Sequence, residues 1–457
     1  MLSVCHFLNS RTTDSLRRLG RQASTALYRS AEAACALLLL SAAMAQEPSK
    51  FELKGDWDVR VTVPGRDSHV VRVTPAVMIS VSTEKYTAVP MFNPKVGGWV
   101  KGAQLRGVKA QETTSAHLLD EASLVLRAGP EPDAAVLVKG KDYEADLVWG
   151  TFGRLEGSSI KADQDVYASY RYSLMRLDAV VLSPDGSVTV RQGEPRAAAP
   201  AAPAVRAGER NLGSVYIPGF ITKLEGDHLF PVLELAYPER KLVRSATIAR
   251  VIERLNSGRP VRILAWGDSV TDGAYLPRAD HWQEQFVARL RVQFPKAQIE
   301  LLTQAWGGRN TSTYLKEPPG SVHNYKETVL GVKPDVVISE FVNDAGLKPE
   351  QVEERYSKLL ADFKEIGADW IILTPHYVRP DWMALTRERE VDEDPRPYVA
   401  GLRQFAAKHD VALADASLRY GRLWRQGVPY NTLMVNAINH PNAFGMRLFA
   451  DALMALF

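Results

Sequence analysis

The sequence predicts an α/β chain, with a strand-rich β module at 46–195 ahead of a doubly wound parallel-sheet domain at 244–457. Three observations predict it. Up to about residue 195 the apolar runs are short, partly alternating and rich in Val, Tyr and Thr, with Gly, Pro and Asp between them. Residues 196–210, "RAAAPAAPAVRAGER", form a Pro/Ala stretch of the kind that acts as an extended spacer. From about 244, non-alternating apolar runs take turns with helix-period segments, as in a parallel sheet covered on both faces.

The first 45 residues stand outside that fold. A basic region (Arg17, Arg18, Arg21, Arg29) leads into "AACALLLLSAAMA", and Ala43-Met44-Ala45 has the small-x-small form of a cleavage site. This reads as a secretory signal peptide at 1–45, cleaved after Ala45, with a secreted or periplasmic product; an uncleaved anchor is the alternative. Cleavage would remove Cys5 and Cys35, which excludes a disulfide framework, a thiolate metal site and a Cys nucleophile in the mature chain. It would also remove five basic and two acidic residues, leaving 51 of each. That balance argues for no nucleic-acid partner and no membrane partner once the leader is gone. At 46% hydrophobic and 24% charged residues, the whole sequence has apolar material for two domains.

In the β module, "WDVRVTV", "HVVRVTPAVMISVS", "AAVLVKG", "YEADLVWG", "DVYASYRYS" and "LDAVVLS" read as strands of a sandwich-like unit. "LSPDGSVTV" reads as a hairpin turned at Pro184-Asp185-Gly186. Residues 196–243 are taken as linker and connector. Trp57, Trp99 and Trp149 fit buried core aromatics better than a sugar-stacking platform.

In the second domain, "SATIARVIERLNSG" reads as a helix with Ser245 as N-cap and Gly258 at its stop. Strands "VRILAWG", "QIELLTQA", "PDVVISEF", "WIILTP" and "VALADAS" follow. Between and after them lie helices "HWQEQFVARLRVQF", "PEQVEERYSKLLADFKEIG", "PYVAGLRQFAAKHD" and "NAFGMRLFADALMALF". Sites in such domains form past the carboxyl ends of the strands.

Four loops there carry chemistry. "GDSVTDG" places Ser269 between a strand and a helix, where a hydroxyl can be exposed; alone it is equally a helix-capping turn. "WGGRNTSTYL" offers adjacent glycines whose backbone can approach a ligand. "EFVNDAG" offers Asn343, a side-chain N–H donor of the oxyanion-stabilising kind or a simple cap. "NAINHPNAFG" offers His440, the usual base for a serine hydroxyl. No zinc-binding or phosphate-loop spacing is present, so neither metal nor cofactor is expected.

Together these blocks resemble the SGNH (GDSL-type) hydrolase superfamily over about residues 250–457. Ser269, Gly308, Asn343 and His440 fall at its four named positions. The resemblance implies Ser269 as nucleophile and His440 as its base. The oxyanion donors implied are the N–H groups of Ser269 and Gly308 and the Asn343 amide. Two positions depart from the pattern. Phe341 stands where the third block has glycine, and Ala437 where the last block has the Asp that orients the histidine. Asn436, Asn439, a backbone carbonyl or Asp415 are the candidates to hold or support the imidazole. "GGRNTSTY" is similar to the second block of rhamnogalacturonan-type acetylesterases. The expectation is a secreted serine esterase removing O-acetyl groups from a carbohydrate through an acyl-enzyme, its partner an acylated small molecule or polysaccharide. The alternatives are a lipid or short-acyl esterase and a catalytically decayed glycan- or cell-wall-binding protein.

Overall fold

Five strands form a parallel sheet in the order Gln298–Ala305, Pro260–Gly267, Val336–Glu340, Asp369–Leu373, Ala412–Ala414. The structure is a computed structural model that describes residues 47–239 and 245–457. The leader expected at 1–45 and the domain start at 244 lie outside the described residues.

The sheet is wound on both faces. Along Pro260–Gly267, Ile263 and Ala265 enter one core with Phe286, Leu290, Phe449 and Leu453 of two helices, Trp282–Gln293 and Ala443–Met454. The alternate residues, Leu264 and Trp266, enter the other core with Tyr356, Leu359 and Phe405 from helices Pro349–Glu365 and Pro397–His409. A strand buried on both sides shows no polar alternation, which is why these runs read as continuously apolar. The expected caps of the first helix, Ala246–Ser257, are present. Ser245 Oγ accepts the Ile248 N–H at 3.3 Å, and Gly258 ends the helix at φ +71°.

The chain starts in the second strand of the sheet, steps out to Gln298–Ala305 and then crosses to Val336–Glu340. The order reverses at that point, and a doubly wound sheet opens a crevice there beyond its strand ends. Gly267 pairs in register with Ala305 on one side and Glu340 on the other. The loops after these three strands therefore leave the sheet side by side.

The N-terminal region is strand-rich and antiparallel, but its strands divide among four small sheets instead of the two layers of a sandwich. The hairpin at Pro184-Asp185-Gly186 is present, with Leu182 paired to Val188. "AAVLVKG" forms no strand; Val136 makes only an isolated bridge to Arg127. The segment expected as linker and connector is largely part of this region. Arg210–Ile217 pairs with Arg176–Leu182, a strand buried at every position, and with Leu229–Pro231. The Pro/Ala stretch is pinned by Arg191, whose guanidinium donates to the Ala204 carbonyl at 2.8 Å and pairs with Glu209. From Leu212 onward the added strand is buried at every position, so it lacks the polar alternation that would have revealed it.

Among the described residues, 49–62, 67–239 and 245–457 belong to one compact unit, and the Arg66 N–H donates to the Val63 carbonyl at 3.0 Å to close a tight turn. Within that unit the antiparallel region is bound to the loops ahead of the last helix. Val232 bridges Gln426, the Leu233 N–H donates to the Arg425 carbonyl at 2.6 Å, and Glu234 pairs with Arg422.

Candidate active site

Ser269 opens a four-residue helix, Ser269–Asp272, directly after the strand Pro260–Gly267. The turn into it needs glycine, because a Cβ on Gly267 would overlap the Thr271 hydroxyl and the Glu340 carbonyl. Asp268 caps the helix by accepting the Val270 N–H at 3.2 Å. This leaves Ser269 half-buried at the strand end.

Asp268 is fully buried and also accepts two bonds from Asn343, the backbone N–H at 2.9 Å and the side-chain amide at 3.0 Å. One amide hydrogen of Asn343 is thereby fixed and the second is left to point elsewhere. The Phe341 position does not need the glycine of the family pattern. Its backbone is extended (φ −139°), and its ring packs edge-on against Trp266 at 4.8 Å. At the end of the strand Pro260–Gly267, Asp268 and Glu340 form a buried acidic pair. Burial raises Asp268 to about 7 against the pull of the Asn343 and Val270 N–H groups, and burial followed by the Asp268 charge raises Glu340 well above its ordinary value. Two carboxyls in one apolar setting cannot both ionise freely, so the pair holds less than its full negative charge near neutrality.

Gly308 lies in a turn closed by the Arg309 N–H on the Trp306 carbonyl at 3.2 Å. It is the third residue of that turn at φ +70°, where an L side chain is strained. The turn is anchored to the nucleophile strand, since Gly267 O accepts the Trp306 N–H at 3.2 Å and the Tyr314 hydroxyl at 3.1 Å.

His440 Nε2 lies 3.1 Å from Ser269 Oγ. The imidazole is buried and stacked on Tyr275, with ring centroids 4.3 Å apart and planes 2° from parallel. Burial lowers its proton affinity below the ordinary histidine value, while the Glu112 charge pulls it partly back up. A neutral imidazole within reach of a serine hydroxyl can act as a general base.

The residues considered as supports for the imidazole fall into different places. Asn436 Oδ1 accepts three successive N–H groups, from Ile438, Asn439 and His440, at 2.9 to 3.0 Å, and so shapes the loop without touching the ring. Ala437 is folded into a left-handed conformation within that loop (φ +57°). Asn439 bonds Asn436 Nδ2 through its side chain and His376 through its carbonyl. Asp415 is engaged elsewhere. It pairs with Arg403 at 2.7 Å, accepts from Thr374 at 3.0 Å and caps a helix through Leu418.

The carboxylate beside His440 is instead Glu112, from the antiparallel region. Its Oε1 lies 3.2 Å from His440 Nδ1, without the alignment of a linear hydrogen bond, and accepts from Asn436 Nδ2 at 3.3 Å. No sequence signal marks it, because "KAQETT" is an unremarkable polar turn 324 positions from Asn436. Tyr275 was equally silent. Of the three tryptophans, Trp57 and Trp149 are buried. Trp99 is half-buried and packs at a tilt against Trp149, with ring centroids 5.1 Å apart, and against the half-exposed Trp382 at 5.5 Å. Two cavities, of about 710 and 220 Å3, are lined by none of Ser269, Gly308, Asn343 and His440.

Residues 265–448 match the GDSL-like lipase/acylhydrolase family. No curated relative matches the chain. Among solved structures, a two-domain esterase active on acetylated mannans is similar at 16% identity and TM-score 0.37, over 47% of this chain and 53% of that one. The chain thus spans about half the length of that esterase. A variant of Axe2, an acetyl xylan esterase from Geobacillus stearothermophilus, is similar at 20% identity and TM-score 0.34, over 43% of this chain and 94% of that one. The acetyl xylan esterase AlAXEase is similar at 21% identity and TM-score 0.33, over 42% and 98%. Residues 265–448 are thus similar to a GDSL-like lipase/acylhydrolase domain.

Proposed function

We propose that this chain is a secreted serine esterase that removes O-acetyl groups from a carbohydrate through an acyl-enzyme. The 3.1 Å approach of His440 Nε2 to Ser269 Oγ at the strand-order reversal carries the proposal. In the first half-reaction His440 takes the hydroxyl proton as Ser269 Oγ bonds to the acyl carbon. The resulting oxyanion is held by the N–H groups of Ser269 and Gly308 and by the second amide hydrogen of Asn343. His440 passes its proton to the leaving sugar oxygen. Water, activated by the same imidazole, then releases acetate and restores Ser269.

The carbohydrate assignment is supported by aromatic surface beside the His440 loop. Trp382 is 48% exposed and packs at a tilt against Trp99, leaving ring face for a sugar to lie against. The same segment joins the His440 loop, since the Arg379 N–H donates to the Ile438 carbonyl at 2.8 Å. Acetate release from acetylated xylan, acetylated pectin and O-acetylated peptidoglycan, with a triglyceride as contrast, tests the assignment. The proposal expects release from at least one glycan and little from the triglyceride. The reverse pattern would replace it with a lipid esterase.

A further inference from the structure

We infer that Glu112 is the carboxylate that positions His440, so that the antiparallel region supplies the member of the catalytic set missing at Ala437. The inference rests on the proposed roles of Ser269 and His440.

The geometry is that of a charged group on the far side of a base. Nε2 of His440 faces Ser269 at 3.1 Å, and Nδ1 faces Glu112 Oε1 at 3.2 Å. A carboxylate there favours the tautomer with hydrogen on Nδ1, which leaves the Nε2 lone pair for the serine proton. When that proton moves to Nε2 and Ser269 Oγ bonds to the acyl carbon, the carbonyl electron pair goes to the oxyanion. Glu112 gains no proton and stabilises the imidazolium. The contact is one of charge at 3.2 Å and not a linear hydrogen bond.

Glu112 is held where this requires. It sits at the tip of a tight turn closed by the Ala110 N–H on the Thr113 carbonyl at 2.8 Å. The turn is fastened to the His440 loop on both sides of Glu112. The Thr113 hydroxyl donates to the Asn436 carbonyl at 2.6 Å, and the Gln111 N–H to the Val435 carbonyl at 3.4 Å. Asn436 ties the parts together, because Oδ1 shapes the backbone that carries His440 while Nδ2 holds Glu112 Oε1. The charged groups facing the ring can be named. Glu112 approaches from the antiparallel region, and Asp268 and Glu340 lie at the strand ends beyond Tyr275, which covers one ring face. His376 stands on the far side of Asn439. Of these, Glu112 is the carboxylate placed against Nδ1.

The test uses the full chain carrying Glu112→Ala, Glu112→Gln or Glu112→Asp, with Ser269→Ala alongside. kcat and KM for p-nitrophenyl acetate are measured across pH, and folding is followed by thermal melting. Glu112→Ala should lower kcat by about 10²- to 10⁴-fold with KM nearly constant, and Glu112→Asp should recover part of the loss. Glu112→Gln should move the acid limb to lower pH, because the carboxylate that raises the proton affinity of His440 is gone. That limb reports on whatever fraction is folded, so a poor yield does not mask it. Wild-type kcat in Glu112→Ala together with an unmoved acid limb in Glu112→Gln would overturn the inference. Turnover by Ser269→Ala would instead overturn the reading on which it rests.

Discussion

Asp268 grips Asn343 twice, through its backbone N–H at 2.9 Å and its side-chain amide at 3.0 Å. The residue before the proposed nucleophile thus fixes the proposed oxyanion donor in the turn that follows the neighbouring strand. The register pairing of Gly267 with Glu340 puts the two loops within reach of each other. Asn343→Ala should lower kcat by about 10²- to 10³-fold with little change in KM, since the donor acts on charge that develops only in the transition state. Steady-state kinetics on p-nitrophenyl acetate check this, and a change confined to KM would assign Asn343 to ground-state binding.

Tyr275 divides into a useful ring and an unpartnered hydroxyl. The ring lies flat on His440, while the buried hydroxyl has no hydrogen-bond partner among the described residues. Removing only an unsatisfied buried polar group is neutral or stabilising. Tyr275→Phe should therefore keep activity and melt at the same or a higher temperature. Tyr275→Ala should lose activity, because the imidazole loses the surface that sets its plane. Activity loss in Tyr275→Phe would show that the hydroxyl itself matters.

The buried Asp268–Glu340 pair gives stability a pH slope with a definite sign. Folded-state pKa values raised above the unfolded ones mean that the native state binds more protons, so this contribution falls as pH rises. For Asp268 the window runs from its ordinary 3.8 to about 7. Glu340→Gln removes one of the two carboxyls and their mutual repulsion. It should flatten the fall in melting temperature toward neutral pH. Thermal melts across that window decide it, and an unchanged slope would remove Glu340 from the account.

Trp382 offers a way to separate substrate binding from chemistry. It packs at a tilt against Trp99 and takes no part in the Ser269–His440 contact. Trp382→Ala should raise KM for an acetylated polysaccharide several-fold while leaving p-nitrophenyl acetate kinetics alone, as stacking contributes about 1 kcal/mol per ring. Equal effects on both substrates would point to a structural role in the loop.

Much of the second domain was legible in the sequence because its signals are local. Ser245 and Gly258 bracket a helix, and runs such as "VRILAWG" can only be strands buried on both faces. Ser269, Gly308, Asn343 and His440 were legible because each follows or borders such an element. Asp415 was a candidate support for the imidazole for a related reason. It does follow a strand, but Arg403 and Thr374 claim it. Glu112 could not be found that way, since the turn that carries it belongs to another sheet system. Its proximity to His440 arises from tertiary bonds such as Thr113 to Asn436, which leave no periodicity in the sequence. The strands Arg210–Ile217 and Leu229–Pro231 were hidden by burial without polar alternation and by a Pro/Ala run that resembles a spacer.

The central claim is that Ser269 is the nucleophile, and one measurement tests it most directly. The wild-type chain and Ser269→Ala are treated with a serine-directed organophosphonate, assayed on p-nitrophenyl acetate and mapped by peptide mass. The account predicts a single adduct on the peptide containing Ser269, loss of turnover on labelling, and no turnover in a folded Ser269→Ala variant. Undiminished turnover in Ser269→Ala, or an inactivating adduct on another residue, would contradict it.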